Sequence, residues 1–218
     1  MLGIFEWHAH RGWAVQSGRT ASVAGVCRSR LRGGALARRG AKSELIERHH
    51  QAQDGTESMA VYSGCERYRY GLRRVWNAEN PQVLFIMLNP STATELKNDP
   101  TIHRCETRAR DMGFGGVMIA NLFAFRATKP EDLKKAKDPV GPANDQILLQ
   151  WHDLAGTTIA AWGVHGAHLG RAVDLAAKLG PMTHLGLTKD GHPRHPLYVS
   201  YKTRPEDWPV GTRYAGNH

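Results

Sequence analysis

Val83-Leu84-Phe85-Ile86-Met87-Leu88 is six apolar residues in a row, introduced by Pro81 and stopped by Asn89-Pro90-Ser91. It is the longest apolar run of the chain. A membrane span needs about 20 such residues, so none is expected. Apolar side chains without alternation mark a central strand buried on both faces. Downstream, Asp99-Pro100 pairs a helix N-cap with proline at the first helical position. Ile102, Cys105, Ala109 and Met112 then follow at helical spacing and stop at Gly113. Gly116 to Leu122 (GVMIANL) predicts a second buried strand that closes at Asn121. Two helices, from Pro130 to Lys137 and from Pro142 to Leu154, lead to a third strand, Thr157 to Trp162 (TTIAAW). Gly163 turns the chain into a helix carrying Leu169, Val173, Ala176 and Leu179, and Thr183 to Leu187 predicts a fourth strand. Upstream, Arg67 to Trp76 (RYRYGLRRVW) alternates polar with aromatic or apolar residues, the pattern of a strand with one solvated face. Strands alternating with helices predict an α/β fold: three layers, α/β/α, around a short, mostly parallel central sheet.

The chain has 218 residues, enough for one such domain plus an appendage. Its 29 Lys and Arg outnumber 20 Asp and Glu, a net charge of +9. Residues 1–58 contribute +4 of that, and residues 1–43 contain one acid, Glu6. Arg28, Arg30, Arg32, Arg38 and Arg39 cluster there without a sustained apolar period. Residues 1–58 are expected to form a basic, poorly ordered extension, with a phosphate-tracking arm and an Arg-rich targeting peptide as the other readings. The α/β domain is expected over 59–218. Cys27, Cys65 and Cys105 lie far apart, which argues against zinc ribbons, cysteine-ligated clusters and a disulfide framework, and suits a cytoplasmic protein.

In open α/β sheets ligands bind outside the C-terminal ends of the strands, which directs attention to Asn89, Asn121, Gly163 and the loop from Thr188 to Tyr198. No GxxxxGK[ST] or GxSxG motif occurs, and Gly163, Gly166 and Gly170 do not have dinucleotide-binding spacing; close strand-to-helix packing explains them. His165 with His168, and His192 with His195, are spaced as ligand pairs but lack a neighbouring carboxylate or thiol, so neither metal nor cofactor is implied.

Asn89 in MLNPST, Asn121 in ANLFAFR and His195 in HPLY resemble, in order and strand context, the motifs of the uracil-DNA glycosylase superfamily. The fuller string NPSTA, NDPTIHRC, NLFAFRAT, DPVGPAND, AWGVHG, GLTKDGHPRHPLY resembles an uncharacterised bacterial domain family with an NPSTA…HPLY signature. The glycosylase resemblance implies that Asn89 positions a water through its amide oxygen and that His195 donates to the departing base. It further implies that Asn121 reads the base edge, that Phe123 or Phe125 stacks on the flipped base, and that Ser91 stands where stricter uracil enzymes carry a bulky Tyr. A small Ser91 predicts tolerance of C5-substituted pyrimidines, phage-type hypermodified bases included. Met87 replaces the first glycine of the motif, and HPLY replaces HPS. His192 competes with His195 for the functional position; His195 is preferred because Leu197 and Tyr198 extend it into a wedge-like stretch.

Arg126, Lys189, Arg194, Tyr198 and Lys202 are the expected DNA contacts, with Arg104, Arg108 and Arg110 on the first helix as part of a phosphate track. The expected function is a monofunctional DNA glycosylase that excises a modified or damaged pyrimidine and leaves an abasic site, in repair or in antiviral defence. Its partner is DNA containing modified bases, with no membrane and no obligate protein partner. The rival readings are a non-catalytic module that binds modified DNA or a nucleotide, and an enzyme acting on free nucleosides.

Overall fold

The computed structural model describes residues 44–208, all within one compact unit. The expectations attached to segment 1–43, with Cys27, lie outside the described residues.

An antiparallel meander opens the domain: β1 (Leu45–Gln51), β2 (Glu57–Ser63) and β3 (Arg69–Val75). The apolar runs then supply β4 (Gln82–Met87), β5 (Gly116–Asn121), β6 (Thr157–Ala160) and the two-residue β7 (Thr183–His184), with β8 (Glu206–Asp207) closing the far edge. All eight form one sheet in the order β1-β2-β3-β5-β4-β6-β7-β8. Its centre, β5-β4-β6-β7, is parallel, as the strand–helix alternation predicted. Four of the seven pairings are antiparallel, however, so the expectation of a mostly parallel sheet is corrected. The meander also places the start of the domain upstream of Met59. β1 reads LIERHHQ and is exposed along nearly its whole length, so it carries no apolar period; its backbone pairing with β2 makes it a strand.

Alternation along β4 divides two cores. Val83, Phe85 and Met87 meet Ile102, Cys105 and Ala109 of α1 (Pro100–Asp111). Leu84 and Ile86 face the other way, toward Leu148 and Trp151 of α3 (Asn144–Leu154) and Leu175 and Leu179 of α4 (Arg171–Leu179). The short α2 (Pro130–Lys135) lies between β5 and α3. Helices thus cover both faces. Asp99 caps α1 as its sequence predicts, Oδ1 accepting from the Ile102 amide at 2.9 Å. Among the described residues no helix is long and apolar enough to cross a membrane.

β3 lacks the solvated face its alternation suggested. Arg69 and Arg74 are buried beneath the segment that follows β4. Arg69 Nη1 donates to the Ala93 carbonyl, and Arg74 donates to the Thr94 and Glu95 carbonyls, the Asn98 side chain and Ser58 Oγ. Two arginines of α1, expected on a phosphate track, also turn inward. Arg104 donates to the carbonyls of Pro196 and Val199, and Arg108 to those of Val199, Ser200, Tyr201 and Thr203. Their guanidinium groups lie 4.3 and 5.6 Å from the centre of the Tyr201 ring. Arg110 pairs with Glu106 and stacks 4.0 Å over Trp76.

Arg108→Met strands four carbonyl acceptors and is expected to lower stability by about 2–4 kcal/mol in urea titration. Arg110→Ala, which opens a surface pair, is expected to cost under about 1 kcal/mol.

Candidate functional site

The carboxyl ends of β4 and β6, the start of α1 and the loop after β7 enclose a cleft of about 690 Å³, the size range of small-molecule sites. Its floor is Arg69, Met87, Ile102 and Trp162, all nearly sequestered from solvent. Lys189, Arg194 and Tyr198 form an exposed rim, with Tyr198 79% exposed. Asn89, Ser91, Asp99 and His195 line the space between.

Asn89 is held by a zipper that continues the β4–β5 pairing beyond the sheet. The amides of Leu122, Phe123 and Ala127 donate to the carbonyls of Met87, Leu88 and Pro90. Asn89 Nδ2 then donates to the carbonyls of Ala127, at 2.6 Å, and Pro90, at 3.0 Å. Flipping this amide would set its oxygen against two carbonyls. Its orientation is therefore fixed, and Oδ1 is the atom available to a water or ligand.

His195 precedes the 3-10 turn Pro196–Tyr198, and its Nδ1 accepts from the Leu197 amide at 3.4 Å. Burial pushes its pKa below the ordinary histidine value, and the charge of Asp99 only partly opposes this. A neutral ring with Nδ1 accepting carries its proton on Nε2, so His195 is a neutral donor. The loop is anchored where Gly163 N donates to the Pro193 carbonyl at 2.9 Å. Gly163 adopts φ 70°, ψ −170°, a conformation reserved for glycine. Gly166 packs directly on the Trp162 indole, which a Cβ would strike, so the packing reading holds for this glycine; a Cβ at Gly170 would meet nothing within 4 Å.

The expected site residues divide. Asn89, Ser91, Lys189, Arg194, His195 and Tyr198 meet at one cleft. His192 is buried outside the cleft lining. Asn121, 1% exposed, is also outside the lining, with both amide atoms buried and unpartnered. Phe123 is fully buried with its ring 5.5 Å from His168, and Phe125 packs edge-on against Tyr68. The structure thus does not bring Asn121 or either Phe to the cleft lining: the zipper carries the chain after β5 beside the β4 loop, and these side chains pack against the protein. Arg126 lies over the Tyr62 ring and donates to the Glu66 carbonyl, and Lys202 is exposed; both are off the cleft.

Sequence reasoning missed Arg69, Asp99 and Trp162 as cleft residues. Trp162 is the last residue of the predicted strand Thr157 to Trp162, so the strand-end rule could have found it; Asp99 stands well past Leu88 and read only as a cap. Arg69 gave no signal, because a buried arginine and a solvated one look alike in an alternating strand. Among the described residues no three His, Cys, Asp or Glu side chains gather as a metal-binding group.

A family model described as "Protein of unknown function (DUF1643)" matches residues 69–197, which include every cleft residue named above except Tyr198, one position beyond its end. No curated protein matches.

Because the folded pKa of His195 is depressed, the stability it contributes is complete above the unfolded histidine value and is lost as pH falls through the folded one. His184 and His192 shift the same way through burial. Unfolding midpoints between pH 7.5 and 5 are therefore expected to fall with acidification, with a shallower slope in His195→Asn.

Proposed function

The chain belongs to the DUF1643 family, and from its site we propose that it is a monofunctional DNA glycosylase acting on a modified pyrimidine. The C–N bond between sugar and base breaks with its electron pair passing to the base nitrogen. Water adds its oxygen to the anomeric carbon and releases a proton to solvent, which returns one to the base. The products are an abasic site and the free base.

The observation that carries this reading is the pairing of a fixed acceptor with a neutral donor in one cleft. Asn89 Oδ1 suits a water approaching a sugar that gains positive charge. The Nε2–H of His195 suits a base oxygen that gains negative charge. Lys189 and Arg194 at the rim suit phosphates, and the exposed Tyr198 ring, 5.9 Å from that of His195, suits a gap left in the base stack. Ser91 lines the cleft, and a side chain this small suits a C5 substituent, which supports phage-type hypermodified pyrimidines as substrates and a defence role. The likeness to uracil-DNA glycosylases now rests on Asn89 and His195, since Asn121 lies off the cleft. A non-catalytic reader draws support from Asn89 itself: an amide cannot act as a general base, and the one acid lining the cleft, Asp99, already uses Oδ1 to cap α1.

Excision is measured as alkali-labile sites in DNA carrying uracil, 5-hydroxymethylcytosine or glycosylated 5-hydroxymethylcytosine. The wild-type protein is expected to prefer the substituted bases, and Asn89→Ala to lose about 100-fold or more in rate while still binding DNA. Binding without excision of any base would leave the reader; equal cleavage by both proteins would remove Asn89 from the reaction. Lys189→Ala with Arg194→Ala is expected to weaken binding to all sequences and to reduce the log–log salt slope by about 2.

A further inference from the structure

Arg69 is the least expected group in the cleft. It is 1% exposed, yet among the described residues no carboxylate stands within ion-pair distance of it. Nη1 is committed to the Ala93 carbonyl, and Nε is buried without a partner. Nη2 is the remaining nitrogen, and it has neither a protein acceptor nor the complete burial of Nε. Since Arg69 lines the cleft, Nη2 is the atom that meets a ligand there. Burial lowers the guanidinium pKa to about 10, and the charges of Tyr62 and Asp99 oppose this only in part. The group stays protonated at neutral pH, and one neutral carbonyl is poor compensation for a buried cation. Trp162 is the aromatic at the floor; its Nε1, like Nε of Arg69, is completely buried and lies on the Gly166 side of the ring.

Depth decides what this charge receives. The phosphate-binding lysine and arginine are at the rim, whereas Arg69 is at the floor. A nucleotide entering with its backbone at the mouth brings its base to the floor, and cleavage of the sugar–base bond leaves the electron pair on that base.

We propose that Arg69 binds the departing base as an anion, so that the floor of the cleft favours ionised over neutral pyrimidines. The glycosylase reading supplies the identity of the anion; the preference for a negative group at the floor is tested without any excision.

Binding is measured by isothermal titration at constant ionic strength and pH 7.5 with three probes: uracil, which is neutral; 5-nitrouracil, whose nitro group ionises the ring; and inorganic phosphate. The wild-type protein is expected to bind 5-nitrouracil at least 10-fold more tightly than uracil. Arg69→Met, close in volume, is expected to bind the two alike, and Arg69→Lys to keep part of the preference. Phosphate affinity is expected to follow Lys189 and Arg194 and to be unchanged in Arg69→Met. Melting in ligand-free buffer gives the structural control: Arg69→Met is expected to melt no lower than the wild type, because it removes an uncompensated buried charge. Equal wild-type affinities for the two pyrimidines overturn the proposal, whether or not any variant folds. A preference retained in Arg69→Met, or phosphate binding lost in it, also overturns it. A wild-type protein that prefers 5-nitrouracil but excises nothing keeps the role of Arg69 and removes the glycosylase reading.

Discussion

A guanidinium group removed from water must find acceptors, and in this fold backbone carbonyls supply most of them. Arg74 holds Thr94 and Glu95, and Arg108 holds four carbonyls between Val199 and Thr203. Arg104 ties Pro196, the residue after His195, to α1. Both segments are irregular, and neither could leave its carbonyls facing a protein interior without donors. The arginines let the segment after β4 and the loop after β7 pack as walls, and those walls define the cleft. Charge that seemed available to an external polyanion is in large part spent on architecture. At the cleft, the exposed cations left over are Lys189 and Arg194 on the rim.

The sheet sets where those walls meet. Its parallel centre brings the carboxyl ends of β4 and β6 side by side, and both chains must turn away there. β5 runs parallel on the other flank of β4, so the two emerging segments continue pairing from Met87 to Pro90. The zipper fixes Asn89 through two carbonyls and at the same time directs Phe123 and Phe125 away from the opening. One set of backbone bonds thus both orients the candidate water-binding oxygen and removes the expected stacking partners. Trp162, which follows β6, is the aromatic that remains at the floor.

What could be read from the sequence tracks how locally each feature is encoded. The run Val83 to Leu88, the cap Asp99-Pro100 and the spacing Ile102, Cys105, Ala109 report structure within one element, and each formed where expected. The edge strand β1 did not announce itself, because a strand made by pairing with a neighbour needs no apolar period of its own. Arg69 and Arg74 looked solvated because alternation distinguishes two faces without saying what covers either. Asn121 ended its strand as expected, but being at a strand end does not settle whether a side chain meets the opening or the protein interior. That depends on the zipper, which joins segments more than thirty residues apart.

The polarity of the cleft follows from these constraints. Apart from Asp99, the charged groups around it are cations, Arg69 at the floor and Lys189 and Arg194 at the rim, and the neutral His195 on the wall adds a donor. Asn89 cannot become another donor, because both hydrogens of its amide are held by carbonyls. It must present its oxygen. In the proposed reaction the sugar gains positive charge while the base gains negative charge, and a surface of one polarity would serve only half of that separation. A neutral His195 matters for the same reason. Protonated, it would add another cation to the lining that holds Arg69; neutral, it still donates through Nε2 without adding like charge. Burial, which disfavours the imidazolium, therefore preserves the division of labour between one acceptor and several donors.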